Sequence, residues 1–144
     1  MIGYVCKYTP VEVFEAMGVE IRRIQPEVTN FNQADTLMHP NICSFTKSVL
    51  EDVLAGDYEG VVLTTCCDSI RRLYDVLKQQ CPDKFLYLLD VPRKVNDFST
   101  DMYRENILDM VHAYEAFSGK TFDEIVLKQL LERREAGQNL RTAP

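Results

Sequence analysis

The chain alternates between short apolar runs and longer stretches whose apolar residues recur every three or four positions. Residues 2–6 form the first run, which ends at Cys6 and breaks at Lys7 and Tyr8. Thr9, Pro10, Val11 and Glu12 then read as a capping box with proline at the first helical position. The helix they open carries Val11, Phe14 and Ala16 and stops at Gly18. Residues 19–24 read as a second strand, and residues 27–41 are polar and irregular, with a helical turn expected around 34–38. From Cys43 an amphipathic helix follows, with Phe45, Val49, Leu50, Val53 and Leu54 on one face and Gly56 at its end. Residues 60–65 are apolar and β-branched, as a central parallel strand buried on both faces requires.

Asp68 and Ser69 read as caps for the next helix, whose inner face is Ile70, Leu73, Tyr74 and Leu77. Residues 85–89 give another strand of the buried type, closed by Asp90, Val91 and Pro92. The last third is helical. Residues 99–117 place Ile107, Met110, Val111 and Tyr114 inward, Gly119 breaks the helix, and a second capping box from Thr121 to Glu124 restarts it. That helix is predicted to fade over 133–137 into a polar tail at 138–144. Strands alternating with helices at about 20-residue intervals imply right-handed βαβ units. The expected fold is α/β: a Rossmann-like or flavodoxin-like parallel sheet of about four strands flanked by helices. A single domain over residues 1–137 is expected, ending in a helical pair over 99–135.

Composition narrows the function classes. At 46% hydrophobic content, 144 residues suffice for a packed core. A net charge of −6 and the lack of a nucleic-acid-binding motif argue against nucleic-acid partners. No apolar run approaches the ~20 residues of a membrane helix, and the N-terminus lacks a signal-peptide pattern, so a soluble cytoplasmic protein is expected. Five cysteines, an odd number, do not suit a disulfide framework. They are buried hydrophobe-like thiols, reactive thiols or metal ligands. The absence of C-x-x-C excludes a zinc ribbon or thioredoxin-type pair, and no phosphate-binding glycine loop occurs.

The positions of the thiols carry more information. In open parallel sheets ligands bind beyond the carboxyl ends of the strands. Cys6 follows the first strand there, and Cys66 and Cys67 follow the strand at 60–65. Cys43 opens a helix and Cys67 stands just ahead of another, where the helix dipole favours a thiolate. The expectation is that Cys6, Cys43 and Cys67 face one site. Lys47, Arg71 and Arg72, one turn into those helices, either compensate anionic sulfur or bind a phosphate, with plain solvated surface as the alternative. His39 is expected to be structural, with lining the site as the alternative, and His112 to be a surface or packing residue. Asp68 is expected to be a cap, with a catalytic role as the alternative, and Cys81 to be incidental.

These segments resemble a known family. Cys6 to Glu12 followed by Ala16 to Gly18, then Asn41-Ile42-Cys43-Ser44-Phe45, then Thr65 to Arg71 occur in the order seen in 2-hydroxyacyl-CoA dehydratases. This is the 2-hydroxyglutaryl-CoA dehydratase D-component family, which includes benzoyl-CoA reductase subunits. Leu88 to Pro92 and Ser118 to Glu124 also look like that family. The resemblance implies a [4Fe-4S] cluster held by few cysteines, with one iron open. It further implies an ATP-hydrolysing iron–sulfur activator that injects a low-potential electron. An acyl-CoA thioester would be reduced to a ketyl radical, lose its 2-hydroxyl group and leave as an enoyl-CoA. By the same resemblance Cys43 and Cys67 are the cluster ligands, Cys66 is an extra thiol, and Cys6 is a weaker candidate. Lys47, Arg71 and Arg72 are candidate anion or CoA contacts.

Family subunits are longer, with a second α/β domain that supplies a further cysteine ligand and much of the substrate pocket. This chain is therefore expected to need a homologous or complementary dehydratase subunit or domain. Two other readings stand beside the enzyme component. One is a shortened non-catalytic relative serving as an assembly or binding module. The other is a redox or metal carrier without CoA chemistry.

Overall fold

The computed structural model describes residues 1–6, 9–26, 31–39, 41–65, 67–92 and 96–142, with side chains up to residue 136. Its elements run β1 (Ile2–Tyr4), α1 (Val11–Ala16), β2 (Ile21–Arg23), α2 (Asn32–Leu37), α3 (Ser44–Ala55), β3 (Gly60–Thr64), α4 (Asp68–Gln80), β4 (Phe85–Leu89), α5 (Asp97–Ser118) and α6 (Glu124–Thr142). The four strands form one sheet in the order β2-β1-β3-β4, every pair parallel. This is the order of flavodoxin-like sheets; the alternation of periods predicted a parallel sheet of about four strands, Rossmann-like or flavodoxin-like.

All five residues of β3 are buried, which explains its unbroken apolar character. Val61 and Leu63 pack against Val49, Leu50 and Val53 of α3 and against Ile70, Leu73 and Leu77 of α4. Val62 points the other way, into a cluster with Ile2, Phe14, Leu89, Met110 and Tyr114. The sheet thus carries α3 and α4 on one face and α1 and α5 on the other. Arg134 of α6 closes onto Glu12 and Glu15 of α1, which seats the last helix beside the first.

Gly60 sets how closely β3 and β4 approach. It pairs in register with Phe85, and a methyl group added there would lie 2.7 Å from Phe85 Cβ. Gly60→Ala is expected to cost about 1–3 kcal/mol through overpacking, read as a lower urea midpoint. An unchanged midpoint would show that the two strands can part without loss.

Several helix starts differ from the sequence reading. Pro10 is the N-cap of α1 rather than its first residue, and no side-chain bond caps that helix. The Thr9 hydroxyl is buried without a partner among the described residues. Helix α4 begins at Asp68 with Cys67 as its N-cap, so Asp68 supports the dipole from inside the first turn instead of capping. Asn96 caps α5, accepting the Ser99 N–H at 2.8 Å, so that helix starts at Asp97 rather than Ser99. Asp123, not Thr121, serves α6, accepting the Ile125 N–H at 2.9 Å. Gly119 ends α5 at φ +75°, the left-handed conformation glycine adopts without strain. Helix α6 continues to Thr142, where a polar tail was expected from residue 138. Gln138, Leu140 and Arg141 are fair helix formers and offset Gly137 and Asn139 between the last predicted turn and Thr142. Phe45 is also a correction: it lies in the first turn of α3, one turn short of the sheet contacts of Val49, and is 48% exposed.

Candidate functional site

Strands β1 and β3 are neighbours, with Tyr4 opposite Val62. They flank the point where the strand order reverses, so the crevice of a flavodoxin-like sheet opens beyond their carboxyl ends. Cys6 lies two residues past β1, and Cys67 three residues past β3. The turn out of β3 is braced from β4. Thr65 N–H donates to Leu89 O at 3.1 Å, and the Thr65 hydroxyl donates to Asp90 Oδ1 at 2.8 Å. That hydroxyl also accepts the Val91 N–H at 3.3 Å. The last residues of both strands therefore fix the backbone that presents Cys67.

Cys43 is the N-cap of α3 and Cys67 the N-cap of α4, both exposed. Cys43 Sγ lies 3.0 Å from Thr46 Oγ1, one helical turn on. Burial alone would raise its pKa. The Thr46 hydroxyl and N–H, the Ser69 hydroxyl and the Phe45 N–H outweigh that and hold the thiol below its usual value. Ser69 belongs to the first turn of α4, and α3 packs beside α4, so Cys43 lies near the helix that Cys67 caps. Two helix N-termini and two cysteines thereby share one rim.

Because donors favour the charged form, Cys43 should be thiolate at lower pH than an ordinary cysteine. Its depressed pKa favours the folded state above the unfolded-state pKa, and that contribution fades as pH falls through the folded value. Alkylation by iodoacetamide, followed by peptide mass mapping across pH, should place the Cys43 midpoint below that of unfolded protein. Thr46→Val should move it upward. A Cys43 midpoint at or above the unfolded value would refute this reading of the rim.

The Tyr103 phenol of α5 is pushed up by burial, and then by Cys6 and Glu12 nearby. Cys6 therefore lies near α5, whereas Cys43 sits between α3 and α4. Cys66 lies outside the described residues. Cys81 caps the far end of α4, about 20 Å along the helix from Cys67. Among the described residues, no group of three or more histidine, cysteine, aspartate or glutamate side chains converges as a metal site.

The cations divide. Lys47 ion-pairs with Asp35 of α2 at 3.0 Å and is only 12% exposed. Its ammonium also lies 6.0 Å from the centre of the Phe31 ring. Arg71 and Arg72 are exposed on α4. His39 Nδ1 accepts the Asn41 N–H at 3.1 Å, a local turn contact, and His112 is exposed on α5. Sequence reasoning overlooked Thr46, although its spacing from Cys43 is that of an N-cap and its third helical residue, and it treated Ser69 as a cap. Among the described residues no helix is long and apolar enough to cross a membrane.

Comparison with known proteins places these features in context. The family model described as 2-hydroxyglutaryl-CoA dehydratase, D-component, matches residues 6–143. The chain is 27% identical over 139 residues to the (R)-phenyllactyl-CoA dehydratase beta subunit of Clostridium sporogenes, covering 91% of this chain and 36% of that one. It is 25% identical over 134 residues to a benzoyl-CoA reductase subunit of Thauera aromatica, covering 89% of this chain and 35% of that one. The chain thus spans about a third of the length of these two relatives.

Proposed function

This chain belongs to the 2-hydroxyglutaryl-CoA dehydratase D-component family, and from that premise we propose that it is the cysteine-bearing part of a 2-hydroxyacyl-CoA dehydratase-type enzyme. The observation that carries the proposal is the packing of α3 beside α4, whose N-caps are Cys43 and Cys67. It gathers two thiols and two helix N-termini at the crevice of the sheet. Cysteine thiolates are the ligands iron–sulfur clusters use, so Cys43 and Cys67 fit part of the ligand set of a [4Fe-4S] cluster. The remaining ligands would come from Cys66 or Cys6 or from another polypeptide. When bound, such a cluster supplies low-potential one-electron chemistry and Lewis acidity toward a substrate oxygen.

The chain's own residues do the placing. Thr46 and Ser69 fix the Cys43 sulfur and favour its anionic form, while the N-termini of α3 and α4 stabilise charge at the rim. The Thr65–Asp90 bond holds the loop of Cys67 in position. Arg71 and Arg72, exposed beyond that loop, offer cations to a phosphorylated thioester. The proposed reaction is one-electron reduction of a 2-hydroxyacyl-CoA thioester to a ketyl radical, which expels the 2-hydroxyl as hydroxide and then loses a proton from C3. Removal of the added electron from the resulting allylic ketyl gives the enoyl-CoA, with water as the balance. The electron comes from an ATP-dependent iron–sulfur activator and returns once the enoyl product forms. Both relatives are named as subunits, which supports a complementary subunit that completes the ligand set and the pocket.

The test is anaerobic reconstitution of the wild-type chain with ferrous iron and sulfide, with both elements assayed after desalting. Stoichiometric iron and sulfide with charge-transfer absorption are expected. A chain that takes up neither, alone or with a complementary subunit, would favour the assembly-module reading.

A further inference from the structure

Helix α6 rests chiefly on α1, where Arg134 meets Glu12 and Glu15, rather than on α5, the helix that precedes it. The space between α5 and α6 is an open groove of about 590 Å³. Val13 of α1 and Val111 of α5, both buried, line its depth. Ile125 and Leu131 of α6 line it as well, yet they are 67% and 42% exposed. A single chain thus leaves large apolar side chains of its last helix in water along one continuous groove, the mark of an interaction surface.

The charges along the groove are of both signs. Arg104 stands on α5, and Glu124 and Lys128 stand on α6, four residues apart and therefore on one face. Glu124 and Lys128 have the spacing of an intrahelical pair. Even so, among the described residues none of these three charges belongs to an ion pair.

We propose that this groove is a homodimer interface, in which α6 of a second copy lies antiparallel against α6 about a two-fold axis. Antiparallel pairing sets Glu124 of each chain beside Lys128 of the other, so two ion pairs form that neither chain makes alone. Ile125 and Leu131 of each helix then enter the groove of the other chain. A two-fold contact requires one patch to complement itself, and a face that carries both signs about an apolar centre does so. The two helical pairs would make a four-helix layer of the kind found in bundles. Other occupants suit the charges less well. Glu124 and a net charge of −6 repel an anionic lipid surface, and Glu124 also opposes a small apolar anion.

This assignment goes beyond the dehydratase reading and does not rest on it. The groove lies on the α1 and α5 face of the sheet, whereas Cys43 and Cys67 cap helices of the opposite face. Pairing would therefore leave both thiol rims open.

The experiment is sedimentation equilibrium of the full chain over a range of concentrations, with reductant present so that exposed thiols do not cross-link. A dimer that dissociates on dilution is expected. Ile125→Asp should weaken it by about tenfold or more, with an unchanged circular dichroism spectrum because the side chain is exposed in the single chain. Lys128→Glu sets glutamates side by side and should weaken it about tenfold. The double variant Glu124→Lys with Lys128→Glu should restore it. A wild-type chain that stays monomeric would overturn the proposal, as would a dimer that Ile125→Asp leaves intact. A double variant as weak as Lys128→Glu alone would overturn the antiparallel pairing. A monomer that binds a complementary subunit, and loses it in Ile125→Asp, would give the groove to that subunit instead. Iron and sulfide uptake tests the dehydratase reading separately.

Discussion

In anaerobic reconstitution, Cys43→Ser and Cys67→Ser should each lose the iron and sulfide that the wild-type chain takes up, whereas Cys81→Ser should retain them. Serine keeps the approximate shape but replaces a soft thiolate with a hydroxyl that stays protonated at neutral pH. Cys43 is the sharper case, because Thr46, Ser69 and Phe45 supply donors that favour a thiolate at that sulfur. Cys81 is the matched control, since it closes the opposite end of the helix that Cys67 opens. Cys6→Ser, at a thiol near Tyr103 on α5, tests whether a third cysteine of this chain is a ligand: partial loss of iron would add it to the set. Cys66→Ser separates the two adjacent thiols. Both principal cysteines are exposed, so neither substitution should change thermal stability by more than about 0.5 kcal/mol. Unaltered uptake in Cys43→Ser, or loss of uptake in Cys81→Ser alone, would contradict the proposed ligand pair.

Tyr114→Ala should be the most damaging single substitution to stability, at about 3–5 kcal/mol in urea unfolding. The ring is fully buried and meets Phe14 of α1 edge-on at 5.3 Å and Phe85 of β4 at 5.1 Å. It therefore joins α5 to both the first helix and the edge strand of the sheet. Its phenol is pushed up by burial and then by Glu59, whose carboxylate stands 3.5 Å away. Because that polar contact is long, Tyr114→Phe should cost no more than about 1 kcal/mol. The pair of variants separates aromatic packing from the hydrogen bond. Equal losses in the two would mean that the hydroxyl, not the ring, holds α5 in place.

The strands of this fold were legible because β3 and β4 are short apolar runs between glycine, proline and aspartate, and parallel strands buried on two faces have that composition. The long helices were legible from the period of their buried positions, Val49, Leu50 and Val53 in α3 and Met110 and Tyr114 in α5. Helix starts were read less well, since the cap is one hydrogen bond among several available polar residues. Asp123 serves α6 where Thr121 fitted the motif equally. The end of α6 was misplaced because Gly137 reads as a stop and the polar residues after it have no apolar period to mark a helix.

The chain order of Cys6, Cys43, Cys66 and Cys67 at the ends of apolar elements is a property of the sequence by itself, and it already pointed to the carboxyl edge of the sheet. Which element each thiol lies beside is a tertiary fact. The crossover that carries the chain from β2 over β1 to β3 packs α3 beside α4, so Ser69 acts on Cys43 across 26 residues of chain. Cys6 leaves β1 toward the face that α5 covers, beside Tyr103. Lys47 has the same one-turn spacing from a cysteine that made it a candidate anion contact, yet its ammonium is drawn to Asp35 on α2. Spacing along the chain fixes which helix a residue rides on. The direction of a side chain is settled by what packs against that helix, and sequence separation says nothing of that.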